Sequence, residues 1–330
     1  MRPFKYTRSS DINSATQMLA ANPNAKFLAG GTNILDLMKE DVERPNQLVD
    51  ISRLKLTQVQ MITTGINAGG VSIGGLGKNT DAANHPLVRE NFPLLSQAIL
   101  AGASAQIRNM ATNGGNLNQR TRCSYFYETS VPCNKREPGT GCGALEGYNR
   151  LHAIFGWSEK CVAVHPSDMC VALAALDAVV IVKDEKGQER SIPFNGYHRL
   201  PGDTPDKDNN LNRGELITAI EIPLNNFAGK SQYLKIRDRS SYAFALVSVA
   251  AALEMDGNQV KQARIAIGGV SHKPWRAMEA EKFLAGKPAS EENIKQAADA
   301  EMKMAKPLEH NKYKVELTRR AIVRALMELV

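Results

Sequence analysis

No apolar run in the 330-residue chain approaches the roughly 20 residues that a bilayer-spanning helix requires, so no membrane span is expected. The opening stretch, MRPFKYTRSS, lacks an apolar h-region, and the chain is read as carrying no secretory signal of its own. No internal repeat and no low-complexity tract interrupts it. Hydrolytic constellations are missing as well: the six histidines form no H-E-x-x-H, and no G-x-S-x-G occurs. Nor is there a basic stripe. The 41 Lys and Arg residues are spread along the chain, so the formal charge of +7 favours anionic ligands or acidic partners and gives little support to nucleic acid. The remaining composition, 43% hydrophobic and 23% charged, is that of a globular protein long enough for two or three domains.

The first 55 residues read strand–helix–strand–loop–helix–strand. PFKYTR is a short strand. SSDINSATQMLAAN opens on cap-type residues and turns helical, with Ile12, Ala15, Met18 and Leu19 on one face. AKFLAGG is an apolar strand running into glycines, NILDLMKED a second helix, and QLVDIS another strand. The pattern changes near residue 56. VQMITTGINAGGVSIGGL reads as a hairpin, and TDAANHPLVRENFPLLSQAILAGAS as a helix in two pieces broken at Pro93. HPSDMCVALAALDAVVIVKD is a capped helix followed by a strand, and SIPFNGYHRLPGDTPDKDNNLNRGE a polar surface loop. The C-terminal part gives strands in LITAIEIPL, SQYLKIRDR and AFALVSVAAALEMDGNQVKQARIAIGGV, with Asp256-Gly257 as a hairpin turn, followed by three helices. The expected class is α+β with mixed sheets.

Three glycine-rich turns suit a phosphate: FLAGGTN at 27–33, IGGLGKNTD at 73–81 and ATNGGNL at 111–117. Glycine lets backbone N–H groups approach a ligand closely, and a helix start adds to the attraction for an anion. IGGLGKNTD fails as a P-loop, because Ser72 stands where the first glycine should be and Asn79 where Ser or Thr should follow Gly-Lys. Each turn alone is an ordinary strand-end turn. Two nearly matching turns, GGTN and GGNL, both read as following strand-like segments, point toward a dinucleotide site of non-Rossmann type.

The cysteines follow the spacing Cys123-x9-Cys133-x8-Cys142-x18-Cys161-x8-Cys170. No C-x2-C pair occurs, so neither the usual structural zinc pattern nor a ferredoxin spacing is present. Four thiols on one segment punctuated by Pro132, Pro138, Gly139, Gly141 and Gly143 match the ligand count of a 4Fe-4S cluster. A zinc site, a disulfide or unligated thiols stay open on spacing alone. Cys170 differs: it sits in a helix capped by Ser167 or Asp168, among small apolar residues, and reads as a small buried thiol.

KFLAGGTNILDLMK, QIRNMATNGGNL, HPSDMCVALAALDA, YLKIRDRSSYAFALVSVAAAL and IAIGGVSHKPWRA, in that order, resemble the FAD-binding medium subunits of the molybdenum hydroxylases, the xanthine dehydrogenase and carbon monoxide dehydrogenase family. The resemblance covers essentially the whole chain. The cysteine-bearing insert is rarer and looks like that of the FAD subunits of bacterial periplasmic aldehyde oxidoreductases. The resemblance implies a vanillyl-alcohol-oxidase-type FAD fold of two α/β subdomains, at 1–55 and 56–228, with a cluster insert at 119–163 and a C-terminal α+β domain at 229–330. It implies no catalytic acid, base or nucleophile on this chain. Cofactors would be FAD and one 4Fe-4S cluster. Partners would be a large molybdenum subunit, a small subunit with two 2Fe-2S clusters, and an external electron acceptor.

Carried over residue by residue, the resemblance places Lys26, Leu28, Ala29, Gly30, Gly31, Thr32 and Asn33 in a first pyrophosphate loop. It places Thr112, Gly114, Gly115 and Asn116 in a second flavin loop, Asp168 near the FAD ribose, and Lys235 and Tyr242 near the flavin ring. The cluster ligands would be Cys123, Cys133, Cys142 and Cys161. Arg120, Arg122, Lys135 and Arg136 crowd that segment, either to offset an anionic cluster or to form a docking face. Relatives reach the periplasm through a signal on the small partner, so co-export is expected, with the cytoplasm as the alternative. The competing expectations are a stand-alone flavin oxidase with a structural zinc and a non-catalytic zinc scaffold.

Overall fold

The computed structural model describes residues 1–330 and builds them around three sheets. The first is parallel: β1 (Lys5–Arg8), β2 (Ala25–Leu28) and β3 (Gln47–Asp50) in the order β1-β3-β2, with Gln47 level with both Lys5 and Ala25. Parallel strands need a crossover, and the helix Ile12–Ala21 supplies the first one. Asp11 caps it by accepting from the Ser14 N–H at 2.9 Å, and Ala15 and Leu19 bury its apolar face against Val49, Ile51 and Leu54.

The second sheet is antiparallel: β4 (Val59–Met61), β5 (Val71–Gly74), β6 (Val179–Lys183), β7 (Glu189–Pro193) and β8 (Leu216–Ile222), in the order β4-β5-β8-β6-β7. β8, which the sequence grouped with the C-terminal strands, thus lies at the centre of this sheet. The preceding helical stretch forms three pieces, not two: Asn79–Asn84, Pro86–Asn91 and Pro93–Ala101. Pro86 breaks it as Pro93 does, each proline taking the first helical position where a missing N–H costs nothing. QIRNM is likewise no strand. Ser104 caps a short helix, Ala105–Arg108, and Thr112 caps another, Asn113–Leu117, so GGNL is itself a helical turn that follows a helix. Two hydroxyl caps eight residues apart override the local apolar pattern. The helix Asp168–Ala175 is buried at every position and forms the centre of the largest core.

The C-terminal sheet comprises β9 (Ser231–Ile236), β10 (Val247–Asp256), β11 (Gln259–Gly268) and β12 (Trp275–Arg276), in the order β12-β11-β10-β9. Gly257, at φ +59°, makes the β10–β11 turn. The run VSVAAAL is apolar throughout because both faces of β10 are covered. Val247, Val249, Ala251 and Leu253 meet the helix Tyr313–Met327 through Ile322 and Leu326. Ala250 and Ala252 face the core around Asp168–Ala175. That alternation fixes the C-terminal sheet to the middle body and sets β9 beside the Asp168 helix. No helix is long and apolar enough to cross a membrane.

Candidate cofactor-binding site

A cleft of about 810 Å³ opens where the turn after β2, the Asn113–Leu117 helix, the start of the Asp168 helix, the end of β9 and the cysteine segment converge. The size lies toward the upper end of the roughly 300–1,000 Å³ of small-molecule sites. Thr32, Asn33, Gly115 and Asn116 line it from the two glycine turns, Asp168, Lys235 and Tyr242 from the opposite elements, and Cys123 from the cysteine segment. Lys26, Leu28, Ala29, Gly30, Gly31, Thr112 and Gly114 do not reach its wall. Lys26 instead pairs with Glu43 at 3.5 Å.

The two turns touch each other, which explains their glycines. A Cβ on Gly30 would stand 2.0 Å from the Met110 carbonyl oxygen, and Gly31 has a φ of +74°. Thr112 Oγ1 accepts from the Gly115 N–H at 3.3 Å, while Gly115 itself faces outward with its only close neighbour being that hydroxyl. Gly30→Ala is therefore expected to push the turns apart at a cost on the order of 3 kcal/mol. The readout is the flavin that the resemblance implies, retained through purification at a lower level than in wild type, with Gly196→Ala, which meets open space, as the unchanged control. The third glycine turn plays a different part. Gly74 and Gly75 press on the carbonyls of Leu56 and Ile217, and Asn79 reaches across to Asn113 and Asn116 at 2.9 and 2.8 Å, so IGGLGKNTD buttresses the second turn.

Asn33 precedes the helix Ile34–Lys39 but does not cap it with its side chain. Its Oδ1 accepts from the Arg120 N–H at 3.0 Å and ties the first turn to the cysteine segment, leaving Nδ2 buried and unpaired at the cleft. Ser167 caps the Asp168 helix by accepting from the Cys170 N–H at 3.1 Å. Asp168 is 8% exposed, and Lys235 Nζ donates to its Oδ2 at 2.8 Å while the Tyr233 hydroxyl donates to Oδ1 at 2.7 Å. Burial and the neighbouring carboxylate push the Tyr233 hydroxyl well above its usual range, so it stays a donor. Tyr242 stands 54% exposed at the mouth, its backbone held at φ +51° by Arg239, whose Nε donates to the Tyr242 carbonyl at 3.0 Å. A bulky residue there carries strain of order 1–3 kcal/mol.

Sequence reasoning missed Arg108, His165 and Ser248, which also line the cleft. Each has a buried polar atom without a protein partner, namely Arg108 Nε, His165 Nε2 and Ser248 Oγ. Their only sequence signal was a polar residue beside a turn or in an apolar strand. These orphans, with Asn33 Nδ2 and the glycine-lined turns, fit a large polar nucleotide and do not fit an apolar ligand.

The cysteine segment wraps beside this cleft. Cys133 and Cys142 face each other across an isolated antiparallel bridge, and Asn134 Oδ1 accepts from the N–H groups of Gly139 and Gly141 at 3.0 and 2.9 Å. Those glycines have φ of +92° and +109°, which closes the loop tightly. None of the five cysteines is in a disulfide. Burial pushes Cys123 up to about 12 and Cys161 up to about 11, with neighbouring thiols of the set adding to each rise. Such thiols stay protonated until a metal charge offsets the burial. His165, Cys170 and His198 form a group of three potential ligands within 4.8 Å of one another. That group is itself no metal site. The Ser167 N–H donates to His165 Nδ1, and His198 Nε2 donates to the Leu117 carbonyl. His165 Nε2 then bears a proton and offers no lone pair to a metal, and Cys170 is the buried thiol the sequence suggested.

Two expectations need correction. The basic residues of the segment do not form a docking face. Arg120 pairs with Glu43 at 2.5 Å and Asp208 at 2.9 Å, Arg122 pairs with Asp36 at 2.9 Å, Lys135 pairs with Asp208, and Arg136 donates to the Tyr125 and Phe126 carbonyls, both at 2.9 Å. Nor is 191–215 a plain surface loop: Tyr197 and His198 are buried, and Asp208 fastens the cysteine segment.

Two family profiles match the chain, one described as the FAD binding domain in molybdopterin dehydrogenase over residues 2–225, the other as the CO dehydrogenase flavoprotein C-terminal domain over residues 232–329. The chain belongs to the FAD-binding medium subunits of the molybdenum hydroxylase family and is an oxidoreductase subunit with the α+β fold expected of them. It is 46% identical to the aldehyde oxidoreductase FAD-binding subunit PaoB of Escherichia coli (strain K12), over 99% of this chain and 98% of that one. It is 30% identical to the glyceraldehyde dehydrogenase medium chain of Sulfolobus acidocaldarius, over 89% of this chain and 85% of that one. In fold it resembles the carbon monoxide dehydrogenase from Hydrogenophaga pseudoflava, with a TM-score of 0.77 and 24% identity, over 99% of this chain and 97% of that one.

Proposed function

We propose that the chain is the FAD- and 4Fe-4S-containing electron-transfer subunit of a molybdenum-dependent aldehyde oxidoreductase. It works with a large molybdenum subunit and a small subunit carrying 2Fe-2S clusters, and it is co-exported to the periplasm with a signal-bearing partner. The observation that carries the reading is the position of Cys123, on the wall of the cleft and near enough to Cys133 and Cys161 to feel their charge, in a segment that holds four free thiols.

In this reading Thr32 and Asn33 of the first turn and Gly115 and Asn116 of the second, which line the cleft, hold the pyrophosphate with backbone N–H groups. Asp168 and Lys235 fix the floor at the ribose and ring, and Tyr242 covers the mouth. Cys123, Cys133, Cys142 and Cys161 ligate the cluster. FAD, when bound, supplies the exchange between two-electron and one-electron chemistry. The protein holds it, shields it, and sets a thiol wall beside it. Aldehyde oxidation belongs to the large subunit.

The test is iron and acid-labile sulfide on the anaerobically purified complex, with EPR after dithionite, for wild type and Cys123→Ser. The proposed cluster gives about four irons on this chain beyond those of the small subunit, and Cys123→Ser removes its signal while FAD stays bound. Zinc in place of those irons, with FAD present, would sink the cluster and leave the alternative of a flavin subunit with a structural metal.

A further inference from the structure

One contact joins the cysteine pocket to the flavin cleft. His152 Nε2 lies 3.1 Å from Cys123 Sγ, and both residues line the cleft. His152 is buried, on a stretch held from below by Lys314, whose Nζ donates to the Leu151 and His152 carbonyls at 3.0 and 3.1 Å, and by Asn311, whose Nδ2 donates to the His152 carbonyl at 3.1 Å. The ring is therefore placed by its backbone. Its other nitrogen, Nδ1, is buried without a partner. A metal-bound thiolate can only accept, so Nε2 is the nitrogen that bears the proton. Among the other three thiols, Cys161 Sγ accepts from the Ala163 N–H at 3.5 Å.

We propose that His152 is a positioning residue for electron exchange, its Nε2–H donating to the cluster sulfur of Cys123 on the wall shared with the flavin and raising the cluster potential. The inference rests on the cluster reading above. Reduction adds one negative charge to the cluster, and a donor at a ligating sulfur stabilises the reduced form over the oxidised one. Of the four thiols only Cys123 stands on the cleft wall, so this donor acts at the ligand nearest the flavin.

The experiment is an EPR-monitored redox titration of the complex for wild type, His152→Phe and His152→Gln, with iron, sulfide and FAD measured on each. In His152→Phe the reduced-to-oxidised cluster ratio at a fixed poise is expected to fall about tenfold, the scale of one hydrogen bond to a charged group. Iron and FAD contents and the flavin midpoint should hold. His152→Gln keeps a side-chain N–H and should recover most of the shift, which a merely structural role would not. An unchanged midpoint in iron-replete His152→Phe would overturn the proposal. So would loss of iron in both variants, because His152 would then be holding the loop. Absence of the cluster from wild type would show instead that the underlying reading had failed.

Discussion

Asp208→Ala is expected to loosen the cysteine segment at a cost on the order of 3 kcal/mol, because it strips the carboxylate from a lysine that cannot reach water. The Lys135 side chain is 1% exposed, and its Nζ donates to Asp208 and to the Pro205 carbonyl at 2.8 Å. Arg120 donates to the same carboxylate at 2.9 Å and to the Lys135 carbonyl at 3.3 Å. Without Asp208 one buried ammonium keeps a single carbonyl partner, and Arg120 keeps Glu43. Limited proteolysis within 119–163 should become faster, while the C-terminal sheet stays protected. A segment as resistant as wild type would mean that the pair contributes little. Acid sensitivity gives a second reading. Burial alone would raise the Asp208 carboxyl, but Lys135 and Arg120 overcome it and hold the group well below the usual carboxylate range. A carboxyl depressed in the folded state contributes stability that is full above its unfolded pKa, near 3.9, and is lost as pH falls below it. The gap between wild type and Asp208→Ala should be constant from about pH 5 to 8 and close below about pH 4.

The same residue shows where sequence reading stopped. TPDKDNN is polar and proline-broken, so it reads as solvated, and nothing local marks Asp208 as the partner of Lys135, 73 residues away. Asn33 was legible as part of a glycine turn, yet its bond to Arg120 spans 87 residues. The GGTN turn could be read because a strand ending in glycines has few other uses. GGNL could not be read as a helix, because a five-residue helix held by Thr112 has no periodicity to show. Cys170 was separable from the other thiols by its small apolar neighbours. The choice between zinc and iron was not readable from spacing, since the five cysteines follow neither the usual zinc pattern nor a ferredoxin pattern. Arg108, His165 and Ser248 were missed for a related reason: an orphaned polar atom is a property of the packed wall and not of the residue type.

Asp168→Ala should have the second large effect, and it separates structural from cofactor roles. Lys235 is 4% exposed at the side chain, with Asp168 and the Ala101 carbonyl, at 3.1 Å, as its partners. Removing the carboxylate leaves a buried ammonium on one carbonyl and a Tyr233 hydroxyl without its acceptor. Breaking such a pair costs roughly 3–5 kcal/mol, so poor yield and low flavin content are both expected from the single variant. Lys235→Met in the same chain removes the stranded charge. In the double variant most of the lost stability should return, since a buried ion pair replaced by apolar groups of similar size is often neutral. If flavin stays low after stability recovers, Asp168 or Lys235 contacts the cofactor itself, as the family resemblance implies. If flavin returns with stability, the pair serves to seat β9 against the Asp168 helix, and the cofactor is held by the two glycine turns alone.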